Sequence, residues 1–136
     1  MKASFHISLP TRSIENTKEF YTRDLGFEVG RSSDGWLDLN LFDNQITFVL
    51  VDDFLFKYPD YTLDNEKLPS FHFGVVLDND TWDKMYDTIN KWSLDTIIKK
   101  TFFEDKNGEQ NSFFVKDPNG YYIEFKTFKV HDEIFM

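Results

Sequence analysis

The chain has 136 residues, a formal net charge of −9 and a pI near 4.7. No run of Lys and Arg exceeds two adjacent residues, so the electrostatic footprint of a nucleic-acid binder is missing. There are no cysteines, which excludes disulfides, thiolate metal sites and a cysteine nucleophile. The start, MKASFHISLP, is too short and polar for a signal peptide, and no apolar stretch approaches a membrane span, so no membrane partner and a cytoplasmic location are expected. The length suits one compact unit or two small modules sharing a core. With 18% aromatic residues, including 16 Phe, that core must be built on Phe packing.

Residues 3–9 alternate as a strand, with Phe5, Ile7 and Leu9 on one side, Ser4, His6 and Ser8 on the other, and Pro10 closing it. Ser13 is a candidate N-cap for a helix reaching about Asp24, with Ile14, Phe20 and Tyr21 on its inner stripe and Gly26 just past its end. A second strand follows near Phe27–Arg31, then a turn at Asp34-Gly35. The third strand, Trp36–Phe42, sets Leu37, Leu39 and Leu41 against Trp36, Asp38 and Asn40. Asp43-Asn44 turns into a fourth, Gln45–Val51, in which Ile46, Phe48 and Leu50 oppose Gln45, Thr47 and Val49. The order so far is βαβββ.

Residues 53–69 carry two prolines, many acids and no clean period, and are expected to form a linker. Their aromatic residues imply packing on the body or over a pocket. Beyond them the pattern restarts, with Ser70-Phe71-His72 repeating Ser4-Phe5-His6. The strand Ser70–Leu77 places Phe71, Phe73 and Val75 against Ser70, His72 and Gly74. Asp80 is the expected cap of a helix with the stripe Trp82, Met85, Tyr86, Ile89 and Trp92. A strand over Thr96–Phe103, a turn at Asn107-Gly108 and a final hairpin complete a second βαβββ unit. In that hairpin Ser112–Lys116 and Tyr121–Phe128 flank Asp117-Pro118-Asn119-Gly120, a strong turn sequence. The fold expected is α+β: module 1 at about 3–52, the linker, module 2 at about 70–128 and a tail at 129–136. The paired modules should form a curved, mostly antiparallel sheet around a cavity, since neither repeat can bury its sheet alone.

On the last strand Tyr121, Ile123, Phe125 and Thr127 share one face, and Tyr122, Glu124, Lys126 and Phe128 the other. Glu124 is then a carboxylate among half-buried neighbours and needs a partner, either Lys116 or Lys126 or a metal ion. A lone strand histidine is more often solvated than ligating. Here two of only three histidines, His6 and His72, stand at matching positions of a repeat, on the polar faces that also carry Glu124. Two imidazoles and a carboxylate make a facial metal set that leaves coordination positions open.

The segments FHISLP, FYTRDLGFEVGRSSDGWLDLNLF, FHFGVVLDNDTW and GEQNSFFVKDPNGYYIEFKTF resemble the vicinal oxygen chelate superfamily of glyoxalases, bleomycin-resistance proteins and extradiol dioxygenases, over residues 4–128. Among its members the chain is most similar to small bacterial predicted extradiol-type dioxygenases. The resemblance implies His6, His72 and Glu124 as ligands of a divalent metal, with Fe(II) favoured and Mn, Co, Ni or Zn as alternatives. It implies a small-molecule substrate oriented by Trp36, Asp38, Gln45 and Gln110, with Tyr122 or Gln110 as catalytic candidates and Tyr121 a further tyrosine. It also implies a homodimer. Other activities within the superfamily are metal-dependent isomerisation or lyase chemistry and non-catalytic antibiotic binding. Aligning Asn44-Gln45 on Asn119-Gly120 places Val49 opposite Glu124, where a fourth ligand stands in glyoxalase I-like members. His131, in the tail, reads as a surface residue.

Overall fold

The computed structural model describes residues 2–92 and 97–136 and divides the chain into two compact units, Met1–Phe56 and Lys57–Met136. Each unit is a βαβββ module, and the expected α+β class is observed in both. Among the described residues no helix is long and apolar enough to cross a membrane.

In the first unit β1 (His6–Thr11) pairs in parallel with β4 (Asn44–Leu50), which continues antiparallel to β3 (Trp36–Leu41) and then to β2 (Glu28–Ser32). β1 runs through Pro10 instead of ending there, and Pro10 pairs with Val49. Ser13 caps α1 (Ile14–Glu19) as expected, its hydroxyl accepting from the Asn16 amide at 3.1 Å. The helix then widens into a π turn over Phe20–Asp24, closed by Leu25 N–H donating to the Phe20 carbonyl. That widening places Phe20, Tyr21 and Leu25 together on the inner side, where they join Leu37, Leu39, Ile46 and Phe48 as buried core. Phe5 is largely exposed, leaving Leu9 and Thr11 as the buried residues of the strand.

The second unit repeats the topology, with β7 (His72–Val76) parallel to β10 (Tyr122–Phe128), followed by β9 (Gln110–Lys116) and β8 (Ile97–Phe102). Thr96, the expected first residue of β8, lies outside the described residues. α2 (Asn79–Asn90) is capped by Asp78, whose carboxylate accepts from Thr81 N–H at 2.7 Å. Asp80, the expected cap, lies inside the first turn, because Asp78 already has the extended backbone a cap requires. Trp82, Met85 and Ile89 are buried, Tyr86 partly so, and Trp92 lies beyond the helix and half exposed. Trp82 Nε1 donates to the Phe125 carbonyl at 2.8 Å, and its ring packs on Phe113, which stacks on Phe125. The face of Tyr121, Ile123, Phe125 and Thr127 is wholly buried, as the alternation predicts.

The expected linker contains a further hairpin, β5 (Asp60–Leu63) and β6 (Glu66–Pro69), turned by Asp64-Asn65 with φ of 48° and 62°. Leu68 forms a buried cluster with Phe102 and Phe114, joined by Leu63, Ile98, Phe103 and Tyr122. The hairpin therefore covers the second sheet on the face opposite α2. Asp64 and Glu66 fix it there: Lys100 Nζ donates to the Asp64 carbonyl and lies 3.8 Å from Glu66 Oε2, and Phe103 N–H donates to Asp64 Oδ2 at 3.1 Å.

The ladders also correct the alignment of the two modules. His6 pairs with Gln45 and His72 with Tyr122, so Thr47, not Val49, occupies the position of Glu124. The hairpins have turns of different length. Leu41 and Asn44 enclose only Phe42 and Asp43, both at positive φ, whereas Asp117 N–H bonds to the Tyr121 carbonyl across three residues. Matching the turn sequences therefore shifts the register.

In the β7–β10 ladder Gly74 faces Glu124. A Cβ on Gly74 would lie 1.7 Å from the Glu124 carbonyl oxygen. Gly74→Ala is expected to destabilise the protein by ~3 kcal/mol or more, since backbone cannot yield as a side-chain end can. Ser8→Ala, at the matching ladder position of the first unit, should stay within about 0.5 kcal/mol. Urea unfolding of the two variants checks the contrast.

Candidate functional site

On the open face of the first sheet, Asp38 is buried and accepts from Thr47 Oγ1 at 2.7 Å and Gln45 Nε2 at 3.1 Å. Arg31 lies 3.6 Å from the same carboxylate and stands over the Trp36 ring. His6 is exposed at the head of β1, beside its ladder partner Gln45. A cleft of about 550 Å³ opens on this unit, lined in part by Arg31, Asp38, Asn40 and Gln45. Trp36, Asp38 and Gln45 thus share one face, with the Asp38 carboxylate committed to neighbouring side chains.

The second unit brings His72 and Glu124 together. Glu124 is 7% exposed, and its Oε1 lies 3.8 Å from His72 Nε2 and 3.7 Å from Lys126 Nζ. His72 Nδ1 is 2.9 Å from the Pro69 carbonyl. A carbonyl only accepts, so Nδ1 carries the hydrogen and a neutral ring directs the lone pair of Nε2 toward Glu124. The ring is held edge-on against Phe114, the cross-strand partner of Glu124. Of the two lysines expected as carboxylate partners, only Lys126 reaches Glu124; Lys116 lies over the Tyr122 ring.

Gln110 and Tyr122 lie on the same face of β9 and β10 as Glu124, at opposite ends of it, while Tyr121 is buried on the other face. Burial, with the Asp117 charge second, raises the Tyr121 phenol far above its usual range. Among the described residues no three histidine, cysteine or acidic side chains form a group arranged to hold a metal. His72 Nε2 and Glu124 supply two donors of suitable chemistry, and His6 belongs to the other unit.

One residue escaped the sequence argument. Tyr61 pairs with Leu68 across the β5–β6 hairpin and shares its sheet-facing side. Its phenol is raised above the usual value, chiefly by burial and secondarily by the Glu124 charge. The available signal was Asp64-Asn65 between Thr62-Leu63 and Lys67-Leu68, a short hairpin pattern inside an acidic, Pro-containing stretch.

Two βαβββ repeats with matched β1–β4 and β7–β10 ladders define a paired-module α+β protein. The chain belongs to the Glyoxalase/Bleomycin resistance protein/Dioxygenase superfamily, the vicinal oxygen chelate group, whose sequence profile matches residues 4–125. Among solved structures it is similar to a glyoxalase/bleomycin resistance protein/dioxygenase from Alicyclobacillus acidocaldarius, at 22% identity, 98% coverage of this chain and 96% of that one, and a TM-score of 0.82. A genomically encoded fosfomycin resistance protein from Listeria monocytogenes matches at 13% identity, covering 98% and 99%, with a TM-score of 0.67. Lactoylglutathione lyase from Agrobacterium tumefaciens matches at 12% identity, covering 93% and 94%, with a TM-score of 0.66. At these identities the likeness is one of fold. A search of curated proteins finds no match.

The raised Tyr61 phenol gives a signed expectation. A phenol raised in the folded state adds stability below about pH 10 that is lost as pH rises through the folded value. Glu124→Gln should lower the Tyr61 titration midpoint part of the way, leaving the portion due to burial. Carbon-13 NMR of labelled tyrosine rings, with Tyr61→Phe for assignment, reads the shift.

Proposed function

We propose that the protein is a metal-dependent enzyme acting on a small molecule, of the extradiol-dioxygenase type, with His6, His72 and Glu124 as its ligands. Members of the superfamily typically bind divalent metals. The observation that carries the proposal is the Pro69 carbonyl on His72 Nδ1, which in the neutral ring makes Nε2, 3.8 Å from a buried carboxylate oxygen, the nitrogen able to ligate. Two electron-rich groups facing each other in a half-dry site are arranged for a shared cation, and a backbone carbonyl on the distal nitrogen is the usual support of a ligating histidine. His6 is included because it holds the register position in β1 that His72 holds in β7.

A bound divalent ion, iron(II) in the favoured case, would supply Lewis acidity and redox chemistry toward dioxygen. Around it the chain's own groups bind and orient. Glu124 contributes charge from a sheet centre where Gly74 fixes its backbone. The β5–β6 hairpin limits water on one side through Leu68 and Leu63 and presents the Tyr61 hydroxyl as a donor. In this reading Trp36, Gln45 and Gln110 orient substrate, Asp38 holds Gln45 and Thr47 in place, Tyr122 is the other catalytic candidate, and the chain is a homodimer.

Lys126 favours a second reading. Its ammonium beside Glu124 satisfies the carboxylate as an ion pair, as a non-catalytic small-molecule binder would require.

Purification under anaerobic conditions followed by metal analysis separates the two. The enzyme reading expects about one divalent ion per chain, lost in His72→Ala and Glu124→Gln, with the His72→Ala fold intact in the metal-free state because the Phe-rich faces do not depend on it. A wild-type protein that neither holds nor takes up metal overturns this reading in favour of the binder. Sedimentation velocity tests the homodimer.

A further inference from the structure

The polar face of the second sheet continues beyond Glu124 toward Phe128, and the structure changes character there. A cavity of about 360 Å³ opens at that end, lined in part by Phe103, Gln110, Lys126, Phe128, Ile134 and Met136. The last two come from the short 3₁₀ turn His131–Phe135 and the residue after it. The volume is within the roughly 300–1,000 Å³ range of small-molecule sites.

Its polar groups include several donors. Gln110 is buried, and no hydrogen bond of its side-chain amide is found among the described residues. Ser112, two residues on along the same face, is fully buried, and its hydroxyl has no hydrogen-bond partner among the described residues. Lys126 is the cross-strand partner of Ser112, and its ammonium also stands over the Phe128 ring. The 3.7 Å from Lys126 to Glu124 is longer than the roughly 2.7–2.9 Å of a charge-assisted hydrogen bond, and an ammonium has three donors. Two side-chain acids of the adjoining segments have partners of their own. Glu133 Oε2 accepts from Gly108 N–H at 2.7 Å, and Glu109 Oε2 lies 3.6 Å from Lys129 Nζ.

We propose that this cavity binds a small organic acid with an apolar or aromatic body, its carboxylate held by Lys126 and Gln110 and its body resting against Phe103, Phe128, Ile134 and Met136. This names the substrate class of the site proposed above and rests on that reading for its chemical purpose, though not for the binding itself. When Glu124 serves another cation, Lys126 loses its counter-charge and the acid replaces it. The two carboxylates therefore compete for one ammonium.

Benzoate is the probe and benzyl alcohol its uncharged control, titrated into the protein as purified and again after dialysis against EDTA, with amide NMR shifts as the readout. Wild type should bind benzoate at least tenfold more tightly than benzyl alcohol in both states. Lys126→Met should remove that preference, Lys126→Arg should retain it, and Gln110→Leu should weaken benzoate several-fold. Glu124→Gln should tighten benzoate several-fold in the metal-free protein, because the competing charge is gone. Equal affinity for the two probes in wild type, a folded Lys126→Met that keeps the preference, or a Glu124→Gln affinity no higher than wild type overturns the proposal. Absence of metal defeats only the metal reading, since selectivity for benzoate is expected in the EDTA-treated protein as well.

Discussion

The second unit depends on the close approach of β7 and β10 at Gly74 and Glu124. A parallel pair of strands this tight tolerates no side chain at the crossing, so one position is reserved for glycine. The consequence runs in both directions along the strands. Two residues before Gly74 is His72, and on the partner strand stands Glu124, so one steric constraint brings an imidazole and a carboxylate within 3.8 Å. The first unit uses the same ladder with Ser8 and Thr47 at the crossing, and there the polar face is closed by Asp38 accepting from Thr47 and Gln45. A shared topology thus carries a carboxylate supplied with hydrogen-bond donors in one unit and a carboxylate between a histidine and a lysine in the other.

Much of this was legible in the residues. Period-two alternation gave the strands and their faces, because each sheet buries one face under a helix and the polar residues have only the other. The repeat of Ser-Phe-His marked the matching strands, and the ladders put both histidines in the same register. The errors share a physical origin: they lie where local chemistry does not specify geometry. Asp78 and Asp80 are both good caps, and only the backbone angles choose between them. The Asn-containing turns invited an alignment, yet turn length rather than turn composition sets register. The β5–β6 hairpin was hidden because its strands are short and each carries an acid, and its stability comes from Phe102 and Phe114, distant in sequence.

That hairpin, whose Tyr61 lies near Glu124, accounts for how little Glu124 is exposed although it belongs to the polar face. An uncovered four-stranded sheet would solvate that face, and a carboxylate and an ammonium there would be worth little to each other. Under Leu68 and its neighbours the local dielectric falls, so the same charges interact more strongly and a lost partner costs more. The acidic residues that made the segment look like a tether serve as its fastening, through Asp64 and Glu66 to Lys100 and through Asp64 to the Phe103 amide.

Pro69 ends this hairpin, and its carbonyl is the group that places the proton on His72. The hydrogen on His72 Nδ1 is therefore set by the seating of the same hairpin that covers the second sheet. With Pro69 seated, Nδ1 is the donor, and Nε2 is the ring nitrogen left to face Glu124. The segment between the two repeats thus fixes which nitrogen of His72 faces the Glu124 carboxylate.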